Sequence, residues 1–358
     1  MARIAVIGLV GKSMFFDVPH FHAGGETVTA RGYYEEWGGK GFNQAVAAAR
    51  QDAAVAFLGA CSAEDKKAIE DFCRAEGIVA RLCAKRRPTA CAAILTDGTG
   101  ETRVTVYPGA ELEVKDVDGF AGSIATADFL LLNNEVPEEV NLAAVEIAKQ
   151  YGVKIIFNPA PARRLPKAIL EAVSIFRPNE FEEKLLAASF QLSGSDCVVP
   201  SALKAKSSKL KAEFEEKLLA ASFQLSGNDC VVSSALTAKS SKLKAEFEEK
   251  LLAASFQLSG NDCVVPSALK AKSSKLKAEV VTTLGAKGCR IRSTGEVIPA
   301  PSAKAVDSTG AGDTFSAVLA VRLAEDETLR DACVAANAAA ALSVEKRFVM
   351  PALPRRRE

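Results

Sequence analysis

Histidine is almost missing: His20 and His22 are the only two in 358 residues. The nine cysteines include no Cys-x-x-Cys pair and no cysteine–histidine cluster, so no zinc site is expected. Cys197, Cys230 and Cys263 occupy one repeated position, and reduced cytosolic thiols are the default reading. Net charge is equally scarce. A formal +1 gives no electrostatic footprint for nucleic acid. The apolar N-terminus, Met1 to Val10, is too short to span a bilayer and lacks a signal-peptide cleavage pattern, so it reads as a buried first strand. A nucleotide P-loop is also lacking. Gly11-Lys12-Ser13 resembles its end, but Val6 stands where the first glycine belongs, which leaves a turn at a strand end. These absences predict a cytoplasmic protein with neither nucleic acid nor membrane as partner.

What remains is ordinary globular material, 48% apolar and 25% charged, long enough for one large core or two. One stretch stands out, Asp307-Ser308-Thr309-Gly310-Ala311-Gly312-Asp313-Thr314, which opens an apolar, Ala-rich segment from Phe315 to Leu323. That context reads as a loop entering a helix. Small residues at Gly310, Ala311 and Gly312 bare three N–H groups at the positive end of the helix dipole. Asp313 sets a carboxylate beside them. Phosphate donors next to an acceptor for a hydroxyl proton are what phosphoryl transfer to an alcohol requires.

Other glycines also precede a helix. Gly38-Gly39-Lys40-Gly41-Phe42-Asn43 runs into Ala45 to Arg50, where bare backbone lets a polar ligand approach. Arg3–Val10, Val55–Gly59, Asp128–Asn133, Val153–Phe157, Ser174–Phe176 and Val280–Leu284 read as strands. Between them, Ala63–Gly77, Val140–Tyr151 and Asp331–Val344 read as helices. Glu26–Trp37 reads as short antiparallel strands, and Ala90–Leu95 with Thr102–Tyr107 as a hairpin. Glu135 follows a buried strand, at the end where open α/β sheets bind ligands. Asn179 and Glu182 lie three apart, so a helix starting there sets both on one face, and a carboxylate there can hold Mg²⁺ through water.

The stretch at 307–313 resembles the signature of the ribokinase family, the PfkB carbohydrate kinases. Gly38 to Asn43, Asn158 to Ala162, Asn179 to Glu182 and Thr283 to Gly288 match further motifs of that family in its order. The resemblance implies an α/β fold: a ribokinase-like three-layer α/β/α sandwich with a mainly parallel central sheet and a small β-sheet lid at about 14–37 and 90–107. It implies one domain over 1–358 and transfer of the γ-phosphoryl group of ATP to a hydroxyl of a small sugar, D-ribose or a related pentose. Asp313 would be the base, and Gly310, Ala311 and Gly312 the anion hole. Gly38, Gly39, Lys40, Gly41, Asn43 and Glu135 would hold the sugar beside Asp313. Asn179, Thr283, Gly285, Gly288, Gly312 and Asn337 would hold ATP. Glu182 would act on Mg²⁺ through water, and Asp307 with Thr309 would serve a monovalent cation, K⁺. A homodimer through the lid is a further implication.

Three departures bear on specificity. Gly11 and Ser13 stand where ribose-specific members carry Asn-x-Asp. Phe348-Val349 replaces a Gly-Ala near the cation site, and Glu111 replaces an Asn. A kinase for a nucleoside or another sugar is therefore the alternative.

A repeat interrupts the pattern. Residues 181–213, 214–246 and 247–279 are near copies that differ only at Ser195/Asn228/Asn261, Pro200/Ser233/Pro266 and Lys204/Thr237/Lys270. Each copy reads as two helices, the second Lys-rich with a solvated face. Only the first copy places Asn three residues before its Glu, because Ala212 and Ala245 precede Glu215 and Glu248. The site is thus expected to use Asn179 and Glu182. Tripling a flexible connection costs only about 1 kcal/mol in closure entropy. An impaired kinase that binds a partner through these helices is the reading of another class.

Overall fold

The computed structural model describes residues 1–99, 101–192 and 278–357. Most of the repeated segment, 193–277, lies outside the described residues, and with it the expected second helix of each copy. The chain runs β1 (Arg3–Ile7), β2 (Gly11–Asp17), β3 (Gly32–Gly38), α1 (Lys40–Arg50), β4 (Ala54–Ser62), α2 (Ala63–Ala75), β5 (Ile78–Lys85), β6 (Ala90–Thr96), β7 (Thr102–Tyr107), α3 (Val114–Asp118), α4 (Ala121–Ala125) and β8 (Phe129–Asn133). It continues with α5 (Glu138–Tyr151), β9 (Lys154–Asn158), α6 (Lys167–Ala172), β10 (Ile175–Phe176), α7 (Glu180–Leu192), β11 (Glu279–Thr283), β12 (Cys289–Ile291), β13 (Val297–Ile298), α8 (Ala311–Ala324) and α9 (Leu329–Ser343).

The apolar runs become a sheet in the order β13-β12-β11-β10-β9-β8-β1-β4-β5, parallel from β11 to β5 and antiparallel at β12 and β13. Both faces of the sheet are covered, which is why its strands read as continuous apolar runs. Along β1, Ile4 and Val6 enter one core layer while Ala5 and Ile7 enter the other, as the period of two requires. The first layer packs under α1, α8 and α9, the second under α5 and α6. Chain order reverses at β1, with β4 on one side and β8 on the other, and this switch point opens a crevice at the carboxyl ends of the strands. Among the described residues, no helix is long and apolar enough to cross a membrane.

A separate sheet, β3-β2-β6-β7, forms the expected lid. Two expectations change here. Gly11 to Ser13 is not a terminal turn, because it starts β2, which pairs with β3 and in parallel with β6. Glu26 to Arg31 is loop, and the strand begins at Gly32. Strand β5 was not foreseen. It is an edge strand, with Val79 exposed and charged Arg81 and Lys85 breaking its apolar pattern.

The lid is tied to the C-terminal segment by Glu36 of β3. Its Oε1 accepts the N–H of Val349 at 2.7 Å and its Oε2 that of Met350 at 2.9 Å, all buried. Phe348, at φ 67°, stacks on Tyr34 of the same strand with ring centroids 3.9 Å apart and meets Phe15 of β2 edge-on. Glu36→Ala orphans two buried N–H groups and should lower unfolding stability by about 1–3 kcal/mol, read from urea denaturation. An unchanged midpoint would mean that water replaces the carboxylate.

Candidate active site

Asp313 lies in the first turn of α8 and is 5% exposed. Gly310 caps that helix at φ 80°, and its hydrogen side faces Val349, whose Cγ1 would lie 2.7 Å from an added Cβ. The Asp313 carboxylate is gripped from α1. Asn43 Nδ2 donates to Oδ2 at 2.9 Å and Gln44 Nε2 donates to Oδ1 at 3.1 Å. Two neutral amides thus orient the carboxylate, one on each oxygen.

Helix α1 reaches this position because it sits directly on the end of β1. A Cβ on Gly41 would come 2.5 Å from Gly8 Cα, so two glycines are what permit the contact. At the start of α1, the Lys40 N–H donates to Glu135 Oε2 at 2.7 Å, and the Glu135 N–H donates to Asn133 Oδ1 at 2.9 Å. Burial pushes the Glu135 carboxyl up to about 7, Lys40 opposing this and the nearby Asp313 adding to it. Polar atoms gather around this point. Asn43 Oδ1, Asn133 Nδ2, Asn134 Oδ1 and Asn158 Oδ1 are buried and without a hydrogen-bond partner among the described residues. Buried amides lacking partners are costly, and their convergence at the switch point suits a polyhydroxylated ligand.

On the far side of α8, β10 and β11 bring their ends together. Asn179 and Thr283 form an isolated parallel bridge, and the Thr283 N–H donates to Pro178 O at 2.9 Å. Asn179 and Glu182 cap α7 reciprocally: the Asn179 N–H donates to Glu182 Oε2 at 2.9 Å, and the Glu182 N–H donates to Asn179 Oδ1 at 2.8 Å. This is a capping box, a structural role that the spacing alone did not reveal. Glu182 Oε1 has no hydrogen bond among the described residues and is left as an acceptor for a metal-bound water. Gly285 opens a 3-10 turn after β11, and Gly288 closes it at φ 92°.

Two expected residues are more occupied than foreseen. Asn337 is buried in α9, and its Nδ2 donates to Ile298 O at 2.9 Å and to Cys289 Sγ at 3.5 Å, so its amide hydrogens serve β13 and β12. Asp307 accepts Thr309 N–H at Oδ1 (2.9 Å) and Phe348 N–H at Oδ2 (3.1 Å), so one oxygen binds its own loop and the other the C-terminal segment. Glu111 lies away from these groups and pairs with Arg87 at 3.0 Å. Gln44 was not given a role, although it follows Asn43 directly in the glycine-rich motif. Adjacency to that motif was the available signal.

A profile of the pfkB family carbohydrate kinases matches residues 1–219 and 226–356. The chain belongs to this family. Among its relatives, the ribokinase of Haemophilus influenzae is 28% identical over 363 residues, spanning 99% of this chain and 96% of that protein. The crystal structure of a Thermotoga maritima ribokinase superposes with a TM-score of 0.68 at 26% identity, covering 100% of this chain and 97% of that one. The ribokinase of Cryptococcus neoformans in complex with ADP gives 0.67 at 26% identity, over 99% and 97% of the two chains. The chain is therefore a carbohydrate kinase, a phosphotransferase with an alcohol acceptor.

Proposed function

We propose that this chain transfers the γ-phosphoryl group of ATP to a hydroxyl of D-ribose or a closely related sugar. The observation that carries the reading is the Asp313 carboxylate, oriented by Asn43 and Gln44 beside the N-terminus of α8. The sugar lies over Lys40, Asn43 and Glu135, within the convergent asparagines. Asp313 takes the hydroxyl proton as the oxygen–phosphorus bond forms and the bond from phosphorus to the ADP oxygen breaks. The N–H groups of residues 310–312 stabilise charge on the transferred group. ATP lies toward Asn179, Thr283, Gly285 and Gly288, and the ADP complex of a 26% identical ribokinase supports that partner. Mg²⁺, where bound, neutralises phosphate charge, and Glu182 Oε1 offers it a water-mediated acceptor. A monovalent cation beside Asp307 and Thr309 belongs to the same proposal, as does a homodimer through the lid, whose strand β7 exposes Val104, Val106 and Tyr107.

A second reading, a nucleoside or another sugar, rests on Ser13. Its Oγ would lie 2.3 Å from a Cβ on Gly38, so this hydroxyl overlooks the glycine-rich loop where an Asn or Asp would otherwise select the sugar. ADP release measured with pentoses, hexoses and nucleosides separates the two. Turnover of pentoses supports the first reading; turnover confined to nucleosides overturns it.

Glu135 gives this site a pH signature. Its folded value of about 7 lies above the ordinary 4.5, so the folded protein holds a proton there that the unfolded chain releases. Its contribution to stability is therefore complete below about 4.5 and lost as pH rises through 7. Sugar binding runs the opposite way, because the ionised carboxylate is the better acceptor. KM for the sugar should rise up to about tenfold per pH unit below 7, and Glu135→Gln should flatten the profile while raising KM at pH 8. A wild-type KM constant from pH 6 to pH 8 would remove Glu135 from the sugar site.

A further inference from the structure

Arg177 lies just past β10, directly before the Asn179–Glu182 cap. It is 4% exposed. A guanidinium so deeply placed is normally paired with a carboxylate, since an unpaired buried cation is costly. Among the described residues, none forms an ion pair with Arg177. Its one side-chain hydrogen bond there is Nε donating to Ser316 Oγ at 2.8 Å. Ser316 is itself fixed, its Oγ donating to Gly312 O at 3.1 Å. The plane of the guanidinium is thus set by the first turns of α8, and among the described residues no side chain or carbonyl accepts from its terminal nitrogens.

Those nitrogens rest against the anion hole. A Cβ on Gly312 would come 2.9 Å from one of them and 3.4 Å from the other, so the guanidinium occupies the space that any larger residue at 312 would need. Glu182 and Asp313 are the carboxylates near enough to act on the Arg177 charge. A cation whose terminal donors meet no acceptor among the described residues therefore lies near both the carboxylate assigned to Mg²⁺ and the carboxylate assigned to the substrate proton, beside the amides at the start of α8. An anion with several acceptor oxygens is the ligand that completes this arrangement.

We infer that Arg177 grips the terminal phosphates of ATP, adding a fixed positive charge to the anion hole of residues 310–312. The inference rests on the proposed kinase reading for the identity of the nucleotide, but its test needs no sugar. Arg177 makes and breaks no covalent bond. It binds equatorial oxygens of the phosphoryl group and holds its charge while the group moves.

The experiment is calorimetric titration of the full chain with ATP and Mg²⁺, and separately with adenosine. In Arg177→Met, ATP should bind about 10- to 100-fold more weakly while adenosine affinity stays as in the wild type. Arg177→Lys should recover part of the ATP affinity. Equal weakening of both ligands would make Arg177 a purely structural residue, and unchanged ATP binding would remove it from the phosphates; either outcome overturns the inference. Should Arg177→Met fail to fold, Ser316→Ala decides, because it frees the guanidinium without deleting it. Loss of ATP affinity alone supports the inference, and unchanged ATP affinity overturns it. A wild type that binds ATP no better than adenosine also overturns it. By contrast, a wild type that prefers ATP through Arg177 yet turns over no sugar defeats only the proposed substrate.

Discussion

Asp313→Asn should lower kcat by roughly 10²- to 10⁴-fold while leaving ATP affinity unchanged. The substitution keeps the size of the side chain and removes its basicity. The surroundings sharpen the expectation. Asn43 and Gln44 both present donors to Asp313, one to each oxygen. An asparagine there has a single acceptor oxygen, so its own amide hydrogens must face one of these donors or displace it. The variant thus loses the proton acceptor and disturbs its orientation together. Steady-state ADP release with the best sugar of the panel gives the rate, and a melting curve establishes that the fold is intact. Activity within a few-fold of the wild type would place the base elsewhere.

Gly41→Ala should be nearly as damaging, although it alters no functional group. The added methyl would lie 2.5 Å from Gly8 Cα and 3.1 to 3.2 Å from Gly8 C and N. All three atoms are backbone at the end of the central strand, so no side chain can swing away. Helix α1 must retreat instead. That helix delivers the Lys40 N–H to Glu135 and both amides to Asp313, so its retreat would disturb all three contacts of the proposed sugar site. A displacement near 1 Å can cost about 10² in rate. Overpacking of this kind costs about 1–3 kcal/mol in stability. A kcat loss that exceeds the loss of folded protein is the expected pattern. Full activity with lowered stability would mean that α1 absorbs the methyl without moving its amides.

Much of the architecture was legible because burial and chemistry coincide in this chain. Strands covered on both faces, such as Phe129–Asn133, spell continuous apolar runs, and the loop entering α8 is marked by small residues ahead of an Ala-rich helix. Strand β2 was legible only in part: the lid is expected from about 14, but Gly11 to Ser13 read as a turn. Its sequence, Gly-Lys-Ser-Met-Phe-Phe-Asp, does not alternate cleanly, and its parallel partner β6 lies far along the chain. The edge strand β5 is hidden by its charges for a similar reason. In the site, motifs located Asp313 and Glu135 but could not say what holds them. Gln44 and Arg177 act through contacts with α8, and the grip of Asn337 on Ile298 depends on how α9 meets β13. Such long-range pairings leave no periodic trace in a single sequence.

The two edges of the lid are unequal. At β3, Glu36 and Tyr34 fasten the sheet to Phe348, Val349 and Met350, and Val349 in turn abuts Gly310. At β7, every residue faces solvent. The lid is therefore fastened along β3, while β7 is its solvent-facing edge. Val349 joins the two regions, since its N–H is held by Glu36 of the lid and its side chain abuts Gly310 at the start of α8, where the proposed anion hole begins.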